Sequence, residues 1–277
     1  IDSSLPDQGI EMMRELGILE YILPELHGSY GVGQNKHHRY DVYEHSLKSL
    51  AYAADQDYTQ DVRIAALLHD IGKPDTKHGE GLNSTFYNHE VVGARIAKKI
   101  LERLKFSTKQ IEKITTLVRY HLFFFIVGEV TDSSVRRLLK RVGPENIDEL
   151  IELRTCDRIG SGVPKAEPYK LRHLKYIIDK VSRDPISVKM LALKGDDMMK
   201  LLSIAPGPKI GKILNILLDE VLDEPKNNTK EWLGQRAREL GVLAESDLEK
   251  LSKKAEEKKE EEQTKIETVS KKKYWVS

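Results

Sequence analysis

Apolar residues in this chain recur at steps of three and four, and that spacing holds almost from end to end. Ile111, Ile114, Val118 and His121 follow it, as do Leu171, Leu174, Ile178 and Val181, and again Ile210, Ile213, Leu214, Leu217 and Val221. A 3.6-residue repeat gathers such positions on one face, and each segment must bury that face against a neighbour. Period-two alternation, the mark of a half-buried strand, is not evident, so the chain is expected to be all-α. Glycine and proline cluster at 28–33, 72–74, 79–81, 160–168 and 206–208 and cut the pattern into helices of ordinary length. Thr108 before Ile111 and Asn146 before Ile147 read as helix caps, and Thr229 reads as one before Trp232.

Composition narrows the function classes. Of 277 residues 39% are apolar and 32% charged, which suits a helical protein with a real core. Cys156 is the one cysteine, which excludes an internal disulfide framework and a cysteine zinc cluster and points to the reducing cytoplasm. The longest apolar run, Leu122 to Val127, is six residues and cannot span a membrane. No charged stretch followed by an apolar one opens the chain, so no signal peptide is expected. It begins at Ile1 and is expected to be a piece of a longer protein.

The net charge of +1 hides an uneven distribution. Residues 95–141 carry twelve Lys or Arg against four acids, and residues 1–34 one Arg against six acids. A basic sector of this kind fits RNA or a phosphate substrate; it equally fits helix faces kept soluble by charge. From Glu245 to Lys273 the chain turns to Lys and Glu, a tail expected to be a solvated helix or disordered because it offers no stripe to bury.

Nine histidines are present, and several stand at helix ends beside apolar faces. His45 follows Asp41 on a helix. His69 and Asp70 close the apolar helix 64–68 just before Ile71-Gly72-Lys73-Pro74 stops it. His89 opens a helix, His121 closes the next, and Asp157 ends a helix carrying Leu150 and Leu153. Inward-facing imidazoles and carboxylates must be hydrogen-bonded, paired or bound to a metal. Six such groups on several helices favour the metal. Imidazole with carboxylate suits Mn, Fe, Co, Ni or Zn better than Mg or Ca, and the chemistry natural to it is hydrolysis. If two ions are held, Asp70 is the candidate bridge.

The order His45, His69-Asp70, Asp157, with His89 and His121 between, resembles the HD superfamily of metal-dependent phosphohydrolases, whose signature matches His69-Asp70-Ile71-Gly72-Lys73. The resemblance implies that His45, His69, Asp70 and Asp157 hold a principal metal and that His89 and His121 hold a second, with Asp70 shared. Lys73 and Arg158, beside these ligands, read either as phosphate clamps or as solvated helix-end cations.

A narrower resemblance runs through Gly17-Ile18-Leu19, Leu23-Pro24-Glu25-Leu26, Gln34 and His38-Arg39-Tyr40-Asp41-Val42-Tyr43-Glu44-His45. It continues in Lys194-Gly195-Asp196-Asp197 and Pro206-Gly207-Pro208-Lys209-Ile210-Gly211. Together these are similar to the body and tail of bacterial CCA-adding tRNA nucleotidyltransferases and poly(A) polymerases. Pro206-Gly207-Pro208 enforces a turn, and Lys209 and Lys212 open a helix whose free amides could receive an RNA phosphate. Asp55-Gln56-Asp57 has the spacing of a nucleotidyl-transfer carboxylate pair but no strand or glycine-rich segment before it, and reads as a turn.

The organisation expected is a leading helical segment over 1–35, a metal-dependent phosphohydrolase domain over 36–165, an RNA-binding-like helical region over 166–233 and a charged tail over 234–277. The activity implied is 2′,3′-cyclic phosphodiesterase or phosphatase chemistry on RNA, tRNA above all, or on a nucleotide phosphate. The alternatives are a tRNA-binding body with a non-catalytic site and a stand-alone nucleotidase. Phe123-Phe124-Phe125 fits core packing better than a pocket wall, Trp232 reads as an anchor, and Trp275 has no assigned role.

Overall fold

The computed structural model describes residues 1–34, 39–123, 130–163 and 166–253. Among these the architecture is all-α; the one extended pairing is a single antiparallel bridge between His78 and Thr85. In chain order the first helices are α1 (Pro6–Glu15), α2 (Leu19–Ile22), α3 (Pro24–His27), α4 (Val42–Asp55), α5 (Gln60–Leu68), α6 (Lys73–Thr76) and α7 (His89–Arg103). They are followed by α8 (Thr108–Tyr120), α9 (Asp132–Val142), α10 (Ile147–Gly160), α11 (Tyr169–Val181), α12 (Gly195–Leu202), α13 (Pro208–Asp223) and α14 (Lys230–Gly241). No described helix is long and apolar enough to cross a membrane.

The chain divides into two compact units, Ile1–Phe123 with Val142–Arg172, and Phe124–Arg141 with His173–Ser277. This division differs from the linear one expected from the sequence. The leading helices share a unit with the histidine-bearing helices, because α1 packs on α4.

Within the first unit, α10 lies along α4, α5 packs against α4, α8 and α10, and α7 pairs with α8. Every residue of α5 from Val62 to Leu68 is buried, which makes it the central rod of this bundle. Two caps set its geometry. Asp41 accepts the Glu44 and Gly31 amides and starts α4; Thr59 accepts the Val62 amide and starts α5. The cap of α8 is Ser107, which accepts the Gln110 amide, one residue earlier than the Thr108 expected. Asn146 stands at the start of α10 without capping it; its Nδ2 donates to the Val142 carbonyl.

Glycine permits the two closest approaches. A Cβ at Gly72 would meet the His89 carbonyl and the Gly93 amide, so the turn after Asp70 can lie directly on α7. One at Gly160 would run into Ser49 and the His45 carbonyl, where α10 meets α4.

In the second unit α12, α13 and α14 pack on one another. Arg136 and Arg137 of α9 are buried there. Arg136 is paired with Asp184 and the Leu222 carbonyl, and Arg137 with Asp219 and Asp223. Thr229 caps α14 through the Trp232 amide, as expected, and Trp232 is half-buried. The apolar stripe runs further than the sequence suggested: Leu240 and Leu248 are fully buried, and residues 245–253 are helical. The segment from Glu245 therefore carries a packed residue, Leu248. Positions 254–277, Trp275 among them, lie outside the described residues.

Candidate metal centre

Three of the histidines are set by one device. His69 Nδ1 lies 2.8 Å from the Ala66 carbonyl, His89 Nδ1 2.7 Å from that of Phe86, and His121 Nδ1 2.7 Å from that of Val118. In each case the acceptor is three residues back. His69 and His121 are the residues that cap α5 and α8, where the last carbonyls lack an intrahelical partner. A carbonyl only accepts, so each Nδ1 carries a proton, and a ring holding that proton alone turns its Nε2 lone pair inward. His89 is delivered differently: Asn88 before it adopts a left-handed φ of 60°, which swings His89 in as the first residue of α7.

These lone pairs converge on Asp70, which is buried. Its Oδ2 lies 3.2 Å from His45 Nε2 and 3.4 Å from His69 Nε2; its Oδ1 lies 3.2 Å from His89 Nε2 and 3.6 Å from His121 Nε2. Asp157 Oδ1 completes the first side, 3.4 Å from His45 Nε2 and 3.8 Å from His69 Nε2. Two ligand groups result, His45 with His69 and Asp70, and Asp70 with His89 and His121; within each, the ligand atoms lie within 4.8 Å of one another.

The arrangement passes a chemical test for a cation. The Nε2 atoms of His89 and His121 are buried and make no hydrogen bond. Such orphaned acceptors are costly unless something electropositive meets them. Neutral imidazoles with a carboxylate between them are the donor set of a divalent transition metal.

Electrostatics differ from one side to the other. Burial pushes the His45 imidazole down, but hydrogen bonds to Asp157 and Asp70 override it and raise its pKa to about 9. Burial lowers that of His121 to about 4 despite its contact with Asp70. Asp70 and Asp157 are held well below the usual carboxylate range. Burial opposes this, and Lys73 with His69 for the one, and Arg154 with His45 for the other, outweigh it. His45 Nε2 also lies 2.9 Å from His69 Nε2.

The lysine after the motif is not a solvated cation. Lys73 is buried at the start of α6, and its Nζ donates to Asp70 Oδ2 and to Gln34 Oε1, each at 2.6 Å. Arg158 is half-buried, its pKa lowered by burial and by Arg154. Arg154 Nη1 donates to Asp157 Oδ2 at 2.5 Å. Arg154 and Gln34 are the residues that sequence reasoning left without a role. The spacing of three on α10 could have revealed Arg154; Gln34 stands among the residues of the narrower resemblance, which gives it no role.

Other expected features fall as follows. Asp55-Gln56-Asp57 is a turn, with α4 ending at Asp55 and Asp57 at a φ of 52° bonded to Arg63. Phe123 is half-buried, and Phe124 and Phe125 lie outside the described residues. Lys209 and Lys212 stand in the first turns of α13, where Lys209 Nζ donates to the Gly241 carbonyl and Lys212 Nζ to Glu245. Several cations of the basic sector are engaged within the fold, Arg103 by Glu25, Lys113 by Asp61 and Glu149, and Arg119 by Glu90.

Comparison with known proteins agrees with this geometry. Residues 42–184 match the HD domain family. The chain is 30% identical over 221 residues to the A-adding tRNA nucleotidyltransferase of Deinococcus radiodurans, covering 76% of this chain and 50% of that protein. It is also 30% identical over 227 residues to the CC-adding tRNA nucleotidyltransferase of Thermus thermophilus, covering 80% and 50%. A multifunctional CCA protein of Neisseria meningitidis is 30% identical over 173 residues, covering 60% and 41%. The chain thus spans about half the length of the curated relatives it matches. Because the matched segment takes in all six converging side chains and more than half of the 277 residues, the chain belongs to the HD-domain family and is related in sequence to the tRNA nucleotidyltransferases.

Proposed function

We propose that this protein is a metal-dependent phosphohydrolase that opens 2′,3′-cyclic phosphodiesters or removes phosphomonoesters at RNA ends, within a tRNA nucleotidyltransferase-like protein. The observation that carries the reading is the placement of Asp70, with one oxygen on each of two histidine groups. His45, His69, Asp70 and Asp157 would hold one divalent ion, and Asp70, His89 and His121 a second. Mn, Ni, Co, Fe or Zn fits this donor set better than Mg. Such ions supply an acidified water and positive charge at a phosphoryl oxygen. The chain's own part is to hold the imidazoles neutral and aimed, through the carbonyls of Ala66, Phe86 and Val118. Lys73, beside the shared carboxylate, and Arg158, next to Asp157, are the groups we assign to the phosphate.

RNA is the proposed larger substrate, on the strength of the relatives' tRNA activities. The start of α13, with Lys209 and Lys212 behind Pro206-Gly207-Pro208, is the proposed phosphate contact.

Hydrolysis of 2′,3′-cyclic AMP in the presence of Mn²⁺ or Ni²⁺ tests the reading. Activity lost in His69→Ala and Asp70→Ala supports it; a wild-type protein that binds no metal and is inert overturns it. Salt-dependent tRNA binding that survives those substitutions, without hydrolysis, would favour the tRNA-binding body with a non-catalytic site. Lys209→Ala with Lys212→Ala should weaken tRNA binding and lower its salt slope by about 2.

A further inference from the structure

The buried ammonium of Lys73 has two oxygen partners, and one comes from 39 residues upstream. Asp70 Oδ2 accepts from Nζ on one side and Gln34 Oε1 on the other, and the Phe86 ring centroid lies 5.6 Å away. Lys73 is 5% exposed and Gln34 7%, so neither group can turn to water for a substitute. The orientation of the Gln34 amide is fixed by its other end. Its Nε2 donates to the carbonyls of Tyr40 and Asp41, at 3.1 and 3.2 Å, and these can only accept. Gln34 Oε1 must therefore face the lysine. Asp41 is the cap of α4, the helix that carries His45, so Gln34 ties the start of that helix to Lys73.

Asp70 Oδ2 is also the oxygen that faces His45 and His69. A divalent cation taken up between those groups meets an ammonium already on the same oxygen, and like charges at such range in a buried site repel strongly. The ammonium can loosen its hold on Asp70 only if another acceptor keeps it from being buried and unpaired. The geometry points to Gln34 as that acceptor: we propose that it is a positioning residue that receives Lys73 when a cation occupies Asp70, and so sets the cation affinity of the His45–His69 side. The inference rests on the metal-binding reading above and adds to it a residue with no contact to any ligand atom.

The test is Mn²⁺ binding to the full chain by calorimetry, in four proteins. Gln34→Leu should weaken binding about tenfold, the lower end for partners that act through a ligand. Lys73→Met added to Gln34→Leu should bring affinity back to within about twofold of Lys73→Met alone, since the competing charge is gone. A deficit that persists in the double variant marks a merely structural role and overturns the proposal, as does a Gln34→Leu protein that binds like its parent. Should Gln34→Leu fail to fold, Gln34→Glu carries the test. It keeps an acceptor for Lys73 and should bind Mn²⁺ at least as tightly as the parent, and a tenfold loss would sink the idea. If the parent itself binds no Mn²⁺, the metal-binding reading falls as well; if it binds and the variants do not differ, only the role of Gln34 falls.

Discussion

The two oxygens of Asp70 look onto halves of the cluster that are built differently. On the Oδ2 side stand His45 and His69, with Asp157 beyond them, Arg154 behind Asp157, and Lys73 directly on Asp70. On the Oδ1 side, among the described residues, stand His89 and His121, whose Nδ1 protons are committed to carbonyls and whose Nε2 atoms are orphaned. The first half balances its charges internally; the second holds His121, whose pKa burial lowers to about 4, and His89, each with a buried Nε2 that makes no hydrogen bond. Cation uptake on the first half must displace a proton from His45 and the ammonium of Lys73, whereas on the second it displaces neither.

Asp70→Asn should have the largest effect, because it removes what the halves share. Metal content after equilibrium dialysis should fall at both, and hydrolysis of 2′,3′-cyclic AMP should drop by more than the 100-fold or so reached when a ligand's outer partner is lost. One ion retained at full affinity would break the description of a shared carboxylate.

Acidity separates the halves next, in the metal-free protein. His45 titrates near 9 when folded against an ordinary 6.5, so the stability it adds is full below about 6.5 and lost as pH rises through 9. His121 titrates near 4, so stability is lost as pH falls from 6.5 to 4, where only the unfolded chain takes up the proton. Asp70 and Asp157, held low, deepen the loss at still lower pH. Denaturant midpoints in chelator should peak between about pH 6 and 7, with each limb worth on the order of 3 kcal/mol at most. His121→Leu should flatten the acid limb between 6.5 and 4 and spare the alkaline one. An alkaline limb unchanged in His45→Leu would contradict the charge assigned to His45.

Gly160→Ala reaches the first half through the backbone. The added Cβ would lie 3.0 Å from the His45 carbonyl and 3.1 Å from the Ser49 amide, so α4 must shift on α10. A loss of about 1–3 kcal/mol in unfolding free energy is expected, with weaker Mn²⁺ binding at the first half only. Arg154→Met should do least, freeing Asp157 Oδ2 and lowering Mn²⁺ affinity of the first half about tenfold while the second is unmoved. Equal losses at both halves, in either variant, would show that the halves are not separable.

The histidine pattern was legible because its positions are helix ends, and helix ends are written locally. Apolar runs stop at His69 and His121, a turn precedes His89, and a cap precedes His45. The sequence left Lys73 between a phosphate clamp and a solvated helix-end cation, because its burial depends on Gln34 and Phe86, which are distant in sequence. The basic sector left two readings open for the same reason. Charge counted along the chain cannot tell that Arg136 and Arg137 are neutralised by Asp184, Asp219 and Asp223. Leu248 was lost in a Lys and Glu run, where one apolar residue makes no visible stripe.

By itself, then, the sequence determined the helices, the all-α class and the identity of the six converging side chains, since periodicity, caps and residue chemistry act over a few positions. Only the tertiary structure decided which oxygen of Asp70 meets which histidines, that Lys73 is buried on that carboxylate, and that Arg154 holds Asp157. Those are matters of ångströms between segments far apart in the chain, and they are settled when α4, α5 and α10 pack, with Gly160 letting α10 close on α4 and Gly72 letting the turn after Asp70 lie on α7.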